Sequence, residues 1–563
     1  MPNEIELLDL LLKNRGIKTE DREKFINPSY EKGLYDPYLM KDMEKAVVRI
    51  FEAIEAKEKI VIYTDYDCDG IPSAVIMHDF FNKIRYENFS IYIPHRHDEG
   101  YGLHMDAIKK FIDEEVKLLI TFDLGITAIE EVIEAQAGGI DVIITDHHLP
   151  RQQLKQLDGQ ASDDLPNAYA ILNPKQEGCQ YPDKMLCGAG IAFKLVQALI
   201  QKYGEYWKIN TGWEKWLLDM VGMATLADQV PLIDENRVFA FYGLKVLQKG
   251  KRPGMVEIFR KANVEMTKLT EEDITFTLAP RINAASRMAD PMMAFEALSA
   301  TDAVLAKTLA DNLSKINDER KIMVAHMMKE VKKTMSKREE KKVIVIGNPL
   351  WRIGVLGIIA SKIVEEYKRP VFVWGSDGSD VLKGSCRSYG GVNLVEIMSA
   401  LPENSILEFG GHAGAGGFAV AHEEIHFLEE RILKVYGEDK EVEEEAKSTG
   451  VEATINMDDV TNANYNVIEK LAPYGVGNPK PKFLFKDVAI VGAKEFGKEK
   501  NHLELSFPNS KGKIVKAIIF FKNKESYGSK IAVGERINLV ATFEKSTFGG
   551  KTELRLRIVD ILC

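Results

Sequence analysis

Hydrophobic and polar positions follow different patterns in different parts of the 563-residue chain. From about residue 46 to 235, short apolar runs such as Lys59 to Thr64 and Phe89 to Pro94 alternate with amphipathic segments such as Ser73 to Ile84 and Met105 to Glu115. Short apolar runs are typical of buried strands, and strands that alternate with helical segments indicate a parallel sheet covered by helices. This region therefore predicts an α/β lobe.

Helical periodicity dominates from about residue 236 to 341. Strand signals nearly vanish there, and the stretch after Pro291 is long, charged and free of further proline. Apolar residues follow helical spacing along it, at Leu298, Leu305, Leu309, Leu313, Ile316 and Met323. The pattern predicts a helical connector that ends in a long helix joining two lobes.

The rest of the chain contains a second α/β pattern and a series of short strands. The apolar stretch Lys342 to Gly347 opens the second pattern, which continues through Val371 to Trp374 and closes near Val435. From residue 451 onwards, short alternating runs separated by turn signals fit a small barrel such as an OB-fold. The predicted divisions are a helical lead-in (1–45), a first α/β lobe (46–235), a helical connector (236–341), a second α/β lobe (342–437), a charged linker (438–450) and a β-barrel (451–563).

Composition narrows the class of protein. With 45% hydrophobic and 28% charged residues, the chain is typical of globular proteins. Its five cysteines are an odd number without C-x-x-C spacing, which indicates reduced thiols and argues against disulfides or a thiolate zinc site. The acidic N-terminus lacks the basic region of a signal peptide, and no apolar stretch reaches the roughly 18 residues of a membrane span. We therefore expect a cytoplasmic protein with no membrane partner.

Charge is distributed unevenly along the chain. The net charge is −11, yet Asn478 to Cys563 contains 17 Lys and Arg residues against 9 Asp and Glu residues. A basic C-terminal module on an acidic body is compatible with binding a polyanion. A basic domain without such a partner is the alternative.

Carboxylates and imidazoles follow three predicted strands of the first lobe, each where the strand ends. They are Asp65, Asp67 and Asp69 after one strand, Asp123 after another, and Asp146, His147 and His148 after a third. Open α/β sheets place their ligand and metal sites at this edge. Hard oxygen ligands combined with histidine nitrogens suit Mn²⁺ or Mg²⁺ better than a thiolate metal. The pattern therefore predicts a divalent metal site.

Asp228 completes this candidate set. It lies in the apolar segment Gly222 to Leu232, where a carboxylate is unfavourable unless it is paired or bound to a metal. Together the groups suffice for two divalent ions about 3.5–4 Å apart, the arrangement that clamps an in-line phosphoryl displacement. Helix capping is the alternative role for Asp228 and for the acidic cluster that begins at Asp65, and Asp123 alone is weak support.

The second lobe contributes a candidate phosphate site. Trp351 to Gly357 opens a predicted helix with glycines, where backbone N–H groups can approach an anion. Gly384 to Ser388 is short, polar and basic, and Gly410 to Gly417 is a glycine-rich loop with one histidine. An arginine fork beside such loops can bind phosphate, although ordinary turns also explain each loop. The candidate phosphate-binding residues are Arg96, Arg281, Arg287, Arg352, Ser385, Arg387 and His412.

These motifs, in this order, resemble the DHH phosphoesterase superfamily and, within it, the RecJ family of single-stranded-DNA-specific exonucleases. The segments similar to the four DHH motifs are YTDYDCDG, TFDLG, DHH and ATLADQVPL. The segments similar to RecJ and DHHA1 motifs are PRINAASRM, WRIGVLGIIASKI, GSCRS and GGHAGAGGF. PYGVGNPKPKF followed by NHLELSF is similar to the start of the family's OB module, so the resemblance covers nearly the whole chain.

The resemblance implies a fold and a chemistry. It implies DHH and DHHA1 lobes joined by a long helix, followed by an OB-fold, and a site for two Mn²⁺ or Mg²⁺ ions. The residues implied at that site are Asp65, Asp67, Asp123, His147, His148 and Asp228, with Asp69 close by; all of them except Asp65 and Asp69 are taken as catalytic. Arg96, Arg281, Ser385 and Arg387 are implied to grip the DNA or its 5′ phosphate.

The resemblance also implies an activity. Digestion of single-stranded DNA would run 5′ to 3′ and release 5′-mononucleotides, in recombination and repair. A single-strand-binding protein and a helicase are the candidate protein partners. The OB module would hold the strand by stacking, with Phe483, Phe485, Phe507, Phe520 and Phe521 as candidates, most of which are expected in the barrel core.

The chain departs from the family pattern at several positions, and two other functions are open. Tyr63 and Arg352 stand where histidine is common, and Cys386 stands where glycine or alanine is common. An arginine can still bind phosphate. The first alternative function is that of a superfamily phosphodiesterase acting on short oligoribonucleotides or cyclic dinucleotides. The second is a catalytically inactive scaffold for nucleic acid or replication partners, which the six implied ligands disfavour.

Overall fold

The computed structural model describes residues 4–150, 165–437, 450–497, 500–546 and 552–562. The predicted linker lies outside the described residues except for Gly450. The chain divides into two compact units, each made of separate stretches of sequence. Unit 1 comprises Met1–Leu34, Pro231–Phe241 and Lys447–Cys563, and unit 2 comprises Tyr35–Val230 and Tyr242–Ala446. This partition into units does not test the domain boundaries expected from the sequence, which stay predictions.

Unit 2 contains a five-stranded parallel sheet in the order β2-β1-β3-β4-β5. The strands are β1 (Ile60–Thr64), β2 (Phe89–Tyr92), β3 (Leu118–Phe122), β4 (Asp141–Thr145) and β5 (Ala170–Leu172). Every residue of β1 and β3 is buried, as in parallel sheets that helices cover on both faces. The surrounding helices are Met43–Glu55, Gly70–Ile84, Met105–Asp113, Ile129–Ala137 and Gly188–Tyr203. The strand order changes direction between β1 and β3, and a ligand crevice forms at such a switch point.

Helices occupy the sequence that follows. They are Leu218–Ala227, Asp234–Leu247, Pro253–Lys261, Glu271–Asp273, Ala279–Met288, Met292–Ser299 and Ala303–Met335, with a π-helix at Ile274–Leu278. The last of these, the long helix, begins at Asp302, whose side chain accepts a hydrogen bond from Leu305 N. Near its other end Val324, Met327 and Val331 pack into the core of the second sheet. The long connecting helix that the periodicity predicts is therefore present.

The second sheet of unit 2 is mixed, in the order β6-β7-β8-β10-β9. Its strands are β6 (Ile344–Gly347), β7 (Val371–Gly375), β8 (Val381–Arg387), β9 (Glu408–His412) and β10 (Ala415–Ala421), and its helices are Leu356–Tyr367, Leu394–Ser399 and Ile425–Tyr436. Only β6 and β7 are parallel; the other pairs are antiparallel. Residues of β6 pack alternately on the two faces, Val345 with the helix Ile425–Tyr436 and Ile344 with the helix Leu356–Tyr367. The predicted second α/β lobe is confirmed.

Unit 1 is built on a seven-stranded sheet in the order β11-β12-β16-β17-β15-β14-β13. The strands are β11 (Val451–Thr454), β12 (Lys482–Ala489), β13 (Gly492–Phe496), β14 (His502–Pro508), β15 (Ile514–Ile519), β16 (Arg536–Ser546) and β17 (Glu553–Leu562). Phe483, Phe485 and Phe507 lie in its core, as expected for most of the candidate stacking residues. Phe521 differs from them, because 81% of its surface is exposed.

The N-terminal lead-in belongs to the same core as the C-terminal sheet. Its helices are Glu4–Asn14, Arg22–Ile26 and Tyr30–Gly33, and a further helix of this unit is Asn462–Glu469. Leu7, Leu11 and Leu12 are buried against the C-terminal strands. The buried Arg237 donates hydrogen bonds to the carbonyl oxygens of Phe25 and Ala472, which ties the segment Pro231–Phe241 into this unit.

Smaller features complete the description. Short 3₁₀ helices lie at Thr19–Asp21, Pro37–Leu39, Trp213–Leu217, Met266–Lys268, Ile353–Val355, Met457–Asp459 and Lys524–Lys530. Cys68, Cys179, Cys187 and Cys386 are free and buried, which agrees with the expected reduced thiols. None of the described helices combines the length and the hydrophobicity that a membrane span requires.

Candidate metal centre and phosphate-binding residues

Three neighbouring strands of the parallel sheet carry acidic and imidazole side chains to one edge. Asp65 follows β1, Asp123 follows β3 and His147 follows β4, and β3 lies between the other two strands. Because the strand order changes direction between β1 and β3, these side chains meet in the crevice that the topology creates. The geometry thus brings together residues that are up to 163 positions apart, Asp65 and Asp228 being the extremes.

All seven candidate metal ligands take part in three overlapping sets. The sets are Asp65, Asp67 and Asp123; Asp123, His147 and His148; and Asp69, His147 and Asp228, with the ligand atoms of each set within 4.8 Å of one another. His147 Nε2 lies 3.1 Å from Asp123 Oδ1 and 3.7 Å from Asp69 Oδ2. Asp228 Oδ2 is 3.9 Å from the same nitrogen. Asp123 and His147 each belong to two sets, so the sets form one continuous cluster.

The loop after β1 holds its carboxylates in place with backbone donors. Asp67 Oδ1 accepts hydrogen bonds from Asp69 N (2.7 Å) and Gly70 N (3.2 Å), which holds the turn that leads into the helix Gly70–Ile84. The two oxygens of Asp69 accept from Gly188 N (2.6 Å) and Ala189 N (2.8 Å) at the start of the helix Gly188–Tyr203. A carboxylate is favourable at a helix N-terminus. The capping role considered from sequence is therefore real for this loop, and it coexists with the cluster.

Tight backbone packing brings the elements together. Asp123 has a φ of +62°, a left-handed conformation that is uncommon for residues other than glycine and that is concentrated at functional sites. A Cβ at Gly188 would lie 2.8 Å from the Cβ of Asp123. The absence of a side chain at residue 188 therefore lets the helix Gly188–Tyr203 approach the cluster closely.

Asp146 orients His148, the second of the two histidines that follow β4. Its buried carboxylate accepts from Ile126 N (2.9 Å) and His148 N (3.1 Å), and it lies 2.7 Å from His148 Nδ1. Burial lowers the pKa of His148, but the hydrogen bond and the charge of Asp146 outweigh this effect and raise it to about 9. A carboxylate that holds the second nitrogen of a metal-binding histidine fixes the ring orientation. Asp146 thus supports the cluster without joining any of the three sets.

Burial and mutual repulsion outweigh the nearby positive charges in the carboxylate cluster. Burial and neighbouring carboxylates raise the pKa of Asp65 and of Asp123 well above the usual value, and burial and Asp69 raise the pKa of Asp228 to about 8. Asp65 Oδ1 and Asp123 Oδ1 are buried without a hydrogen-bond donor among the described residues. A divalent cation relieves such repulsion and takes these free lone pairs as ligands. Oxygen ligands with histidine nitrogens fit Mn²⁺ or Mg²⁺.

The family departures near the cluster have structural explanations. Tyr63 is fully buried, and its hydroxyl donates a hydrogen bond to Gly102 O (3.0 Å) while its ring stacks on Tyr92. The tyrosine is thus committed to the core of the lobe. Cys386 is buried in the core of the second sheet, where a small apolar side chain packs well.

Seven arginines in the described part of unit 2 have no carboxylate partner within 4.0 Å. One is the exposed Arg85, and the other six are Arg96, Arg281, Arg287, Arg320, Arg352 and Arg387. Burial and the charges of Arg96 and Arg320 lower the pKa of Arg287 to about 9, and Asp67 opposes the shift. Burial also lowers the pKa of Arg387, and Arg96 adds to this shift. Arg96 and Arg320 therefore lie near Arg287, Arg96 also lies near Arg387, and the influence of Asp67 on Arg287 places this group at the border of the carboxylate cluster.

Arg320 is the member of this group that sequence reasoning missed. It lies in the charged run NDERK of the long helix, which is typical of a solvated helix face. Arg320 Nη2 donates to Asn317 Oδ1 (3.0 Å), whereas Arg320 Nε is buried without an acceptor among the described residues. The available signal was an interruption of the buried stripe, because Asn317 and Arg320 follow Leu313 at helical spacing before Val324 resumes the apolar pattern.

Ser385 and Arg387 form a polar pair on β8. Residues two apart on a strand share a face, and Arg387 Nη1 donates to Ser385 Oγ (3.1 Å). Gly357, in the first turn of the helix Leu356–Tyr367, lies beside this pair, because a Cβ there would be 3.0 Å from Arg387 Nη2. No side chain caps the N-terminus of this helix. The 3₁₀ helix Ile353–Val355 leads directly into it, and a helix N-terminus beside an arginine fork is suited to bind phosphate.

The remaining candidates are spread around this pair. Arg287 Nη1 donates to Gly354 O (3.1 Å), which joins the helix Ala279–Met288 to the second lobe. Arg352 is exposed, and its charge adds to the effect of burial in lowering the pKa of the nearby His97. His412 is exposed on β9 and lies across β10 from Arg387 in the strand register, two strand spacings or about 10 Å away. The structure therefore gathers the arginines and Ser385 more closely than it gathers His412.

Comparison with known proteins places these features in a family. Residues 59–225 match the model of the DHH family N-terminal domain, residues 340–437 match the DHHA1 domain, and residues 451–560 match the RecJ OB domain. The three matches define a DHH protein that carries a DHHA1 domain and a RecJ-type OB domain. The matches also agree with the fold class expected from the sequence.

Similarity to individual curated proteins identifies the family within this class. The chain is 33% identical to the single-stranded-DNA-specific exonuclease RecJ of Bacillus subtilis, over 98% of this chain and 67% of that protein. It is 31% identical to the RecJ of Haemophilus influenzae, over 99% of this chain and 96% of that protein. The chain belongs to the RecJ family.

Solved structures show the same fold. The crystal structure of RecJ from Thermus thermophilus in complex with Mn²⁺ superposes with a TM-score of 0.80 at 24% identity, covering 99% of this chain and 76% of that one. A crystal structure of the exonuclease RecJ bound to manganese has a TM-score of 0.62 at 28% identity, covering 72% of this chain and 96% of that one. Both structures are of proteins bound to divalent cations.

Proposed function

We propose that this protein is a metal-dependent exonuclease that degrades single-stranded DNA from its 5′ end and releases 5′-mononucleotides. The RecJ family assignment supports the substrate and the reaction, since the curated relatives are named single-stranded-DNA-specific exonucleases. The single observation that carries the proposal is the carboxylate and imidazole cluster beside arginines without acidic partners. The cluster has the ligands for cations, and the arginines have the charge for phosphates.

The proposed metal ligands are the seven residues of the cluster, and the proposed number of ions is two. The overlap of the three ligand sets at Asp123 and His147 supports this number, because two ions can then lie side by side. Bound divalent ions lower the pKa of a water molecule and neutralise charge on the reacting phosphate. Asp67, Asp123, His147, His148 and Asp228 are the proposed catalytic members of this set.

The arginines have a distinct proposed role, which is to bind the phosphates that flank the scissile bond. Arg96, Arg281, Arg287, Arg352, Ser385, Arg387 and His412 are the residues proposed for this role, and we add Arg320. Arg387 with Ser385 is the best candidate for a terminal 5′ phosphate, because a guanidinium, a hydroxyl and an uncapped helix N-terminus lie together there. Recognition of that terminal group would set the 5′ to 3′ direction.

The cellular setting is also a proposal. A family of single-stranded-DNA exonucleases supports a role in recombination and repair in the cytoplasm, where a single-strand-binding protein and a helicase would supply the substrate. Action on short oligoribonucleotides or cyclic dinucleotides is not favoured, because a RecJ OB domain follows the two lobes and a long strand makes use of it. A catalytically inactive scaffold is not favoured either, since every candidate ligand converges.

Digestion of end-labelled DNA tests the proposal. Purified protein is incubated with 5′-labelled single-stranded DNA, with a matching duplex and with a dinucleotide, in Mn²⁺ and in EDTA. We expect the label to appear first as a mononucleotide, only from the single strand and only with the metal. Loss of nucleotides from the 3′ end first, equal digestion of the duplex or full activity in EDTA would each contradict the proposal.

A further inference from the structure

A groove of about 810 Å³ lies in unit 2 on the side of the helix Gly70–Ile84 that is remote from the metal centre. We call it the tryptophan groove, and it is lined by Lys83, Trp213, Trp216, Arg252 and Leu305, among others. The helix begins beside the carboxylate cluster, and the groove residues on it run from His78 to Lys83, about 12–20 Å further along the helix axis. None of the proposed ligands or phosphate-binding residues lines it.

Lysines surround the two tryptophans. Lys83 Nζ is 5.9 Å from the ring centre of Trp213, and Lys249 and Lys251 are 4.9 Å and 5.2 Å from that of Trp216. In the described ranges none of these three lysines has a carboxylate partner. Trp216 is 41% exposed, although a large aromatic ring at the surface of a monomer is usually covered.

The acidic groups that line the groove face other partners or its opposite end. Asp79 is paired with Arg252 (2.7 Å) and contacts His78, and Asp302 caps the long helix. Glu296 is the remaining acidic lining residue. Lys83 within the groove, and Lys249 and Lys251 beside Trp216 at its margin, therefore place unpaired positive charge locally around the two flat aromatic rings.

We infer that the tryptophan groove is a second binding site for single-stranded DNA, in which bases stack on Trp213 and Trp216 and phosphates contact Lys83, Lys249 and Lys251. Exposed aromatic rings interleaved with lysines are the usual means of holding a single strand without reading its sequence. The inference rests on the proposed function, because the strand is the same substrate. The groove would retain a long strand while its end is digested, and it would not affect a substrate too short to reach it.

Length-dependent binding tests the inference. Binding of fluorescent oligothymidylates of 40 and of 6 nucleotides is measured over a range of salt concentrations, for wild type, W213A/W216A, K249E/K251E and the control K333E/K337E. The control changes two exposed lysines at the end of the long helix by the same charge. Turnover of the 6-mer in Mn²⁺ is measured in parallel.

We expect W213A/W216A to bind the 40-mer at least about fivefold more weakly, as for the loss of one stacked base. We expect K249E/K251E to lower the salt dependence of 40-mer binding, with a slope reduced by at least about 1.4, the value for two lost phosphate contacts. Binding and turnover of the 6-mer should stay at wild-type values, as should every measurement on the control. The conservative variant W216F should keep most of the affinity, which separates stacking from disturbed packing.

Wild-type affinity for the 40-mer in both groove variants would overturn the inference, and would point to a protein partner instead. An equal loss with the 6-mer, or a loss with the lysine variant alone, would also overturn it. If the wild-type protein failed to digest DNA at all, the proposed function would fail, whereas normal digestion with unchanged groove variants removes only this inference.

Discussion

The carboxylate cluster and the arginine group are two concentrations of like charge in the same unit, and they are built in different ways. Most of the carboxylates come from the ends of adjacent strands, and backbone N–H groups such as Gly70 N, Gly188 N and Ala189 N hold those of Asp67 and Asp69. The arginines come from separate helices, strands and loops, and neutral acceptors such as Thr277 O, Gly354 O and Ser385 Oγ hold three of them.

This difference indicates which kind of ligand each group is suited to bind. The carboxylate cluster is rigid and keeps free lone pairs at Asp65 and Asp123, so it suits small ions that need a fixed geometry. The arginine group is distributed over a longer path, with members on the long helix and on β8, so it suits an extended polyanion. The two groups influence each other through space, as Asp67 does Arg287, but no carboxylate of the described residues lies within 4.0 Å of these arginines. The predictions that follow test whether the two groups are separable.

Asp123→Asn should have the largest effect. Asp123 belongs to two ligand sets, so the loss of its charge removes a ligand shared by both. We expect the rate on single-stranded DNA to fall at least about 100-fold, with DNA binding in the absence of metal retained. The measurement is turnover of a labelled strand in Mn²⁺. Asp106→Asn, an exposed residue outside the cluster, is the control. Unchanged turnover in the variant would remove Asp123 from the site.

Asp146→Asn tests the support of the cluster. The neutral amide is a weaker acceptor than the carboxylate and can turn its NH₂ towards the ring, so His148 is held less firmly in the orientation that metal binding needs. We expect the affinity for Mn²⁺ to fall about 10-fold to 100-fold, measured by calorimetric titration, with activity partly restored at high Mn²⁺. Wild-type affinity for the ion would show that Asp146 has no orienting role.

Arg320→Ala tests the arginine group. The substitution removes one phosphate-binding charge and leaves the metal ligands intact, so we expect KM for single-stranded DNA to rise about 10-fold while the affinity for Mn²⁺ stays constant. Steady-state kinetics and the metal titration measure the two quantities. Lys321→Ala, at the next and exposed position of the helix, is the control. A change in Mn²⁺ affinity would mean that the two charge groups are coupled.

Asp65→Asn should have the smallest effect, and it should stabilise the metal-free protein instead of impairing it. In EDTA this buried carboxylate is repelled by Asp67 and lacks a hydrogen-bond donor at Oδ1, so its neutralisation should raise Tm by a few degrees. The rise in Tm that Mn²⁺ produces should shrink in the same variant. Thermal unfolding with and without Mn²⁺ measures both. A lower Tm in EDTA would show that the carboxylate is well compensated.

Much of this arrangement could be predicted from the sequence, because parallel strands end at one edge of their sheet. The apolar runs before Asp65, Asp123 and His147 were sufficient to predict both the strands and the convergence of these residues. The fold class was predictable for the same reason, since the alternation of strands and helices continues through both lobes. The assignment of individual roles to the site residues stays a prediction.

Other features had only a weak local signal or none. The packing of Leu7 and Leu11 on the C-terminal strands depends on contacts more than 400 residues apart, and an amphipathic pattern does not name its partner. Arg320 lies in a charged run of the long helix. The sequence pattern of that run does not distinguish a polar side chain that faces a cleft from one that faces solvent. The orienting role of Asp146 depends on the turn that brings Ile126 N to its carboxylate.

Anomalous diffraction at the manganese edge tests the central claim most directly. Crystals of the protein would be grown with Mn²⁺ and a 5′-phosphorylated, non-hydrolysable single strand. We expect two anomalous peaks inside the cluster, both near Asp123 and His147, with strand phosphates against Arg96, Arg287 and Arg387. Empty density between the carboxylates, or a strand bound away from these arginines, would contradict the account.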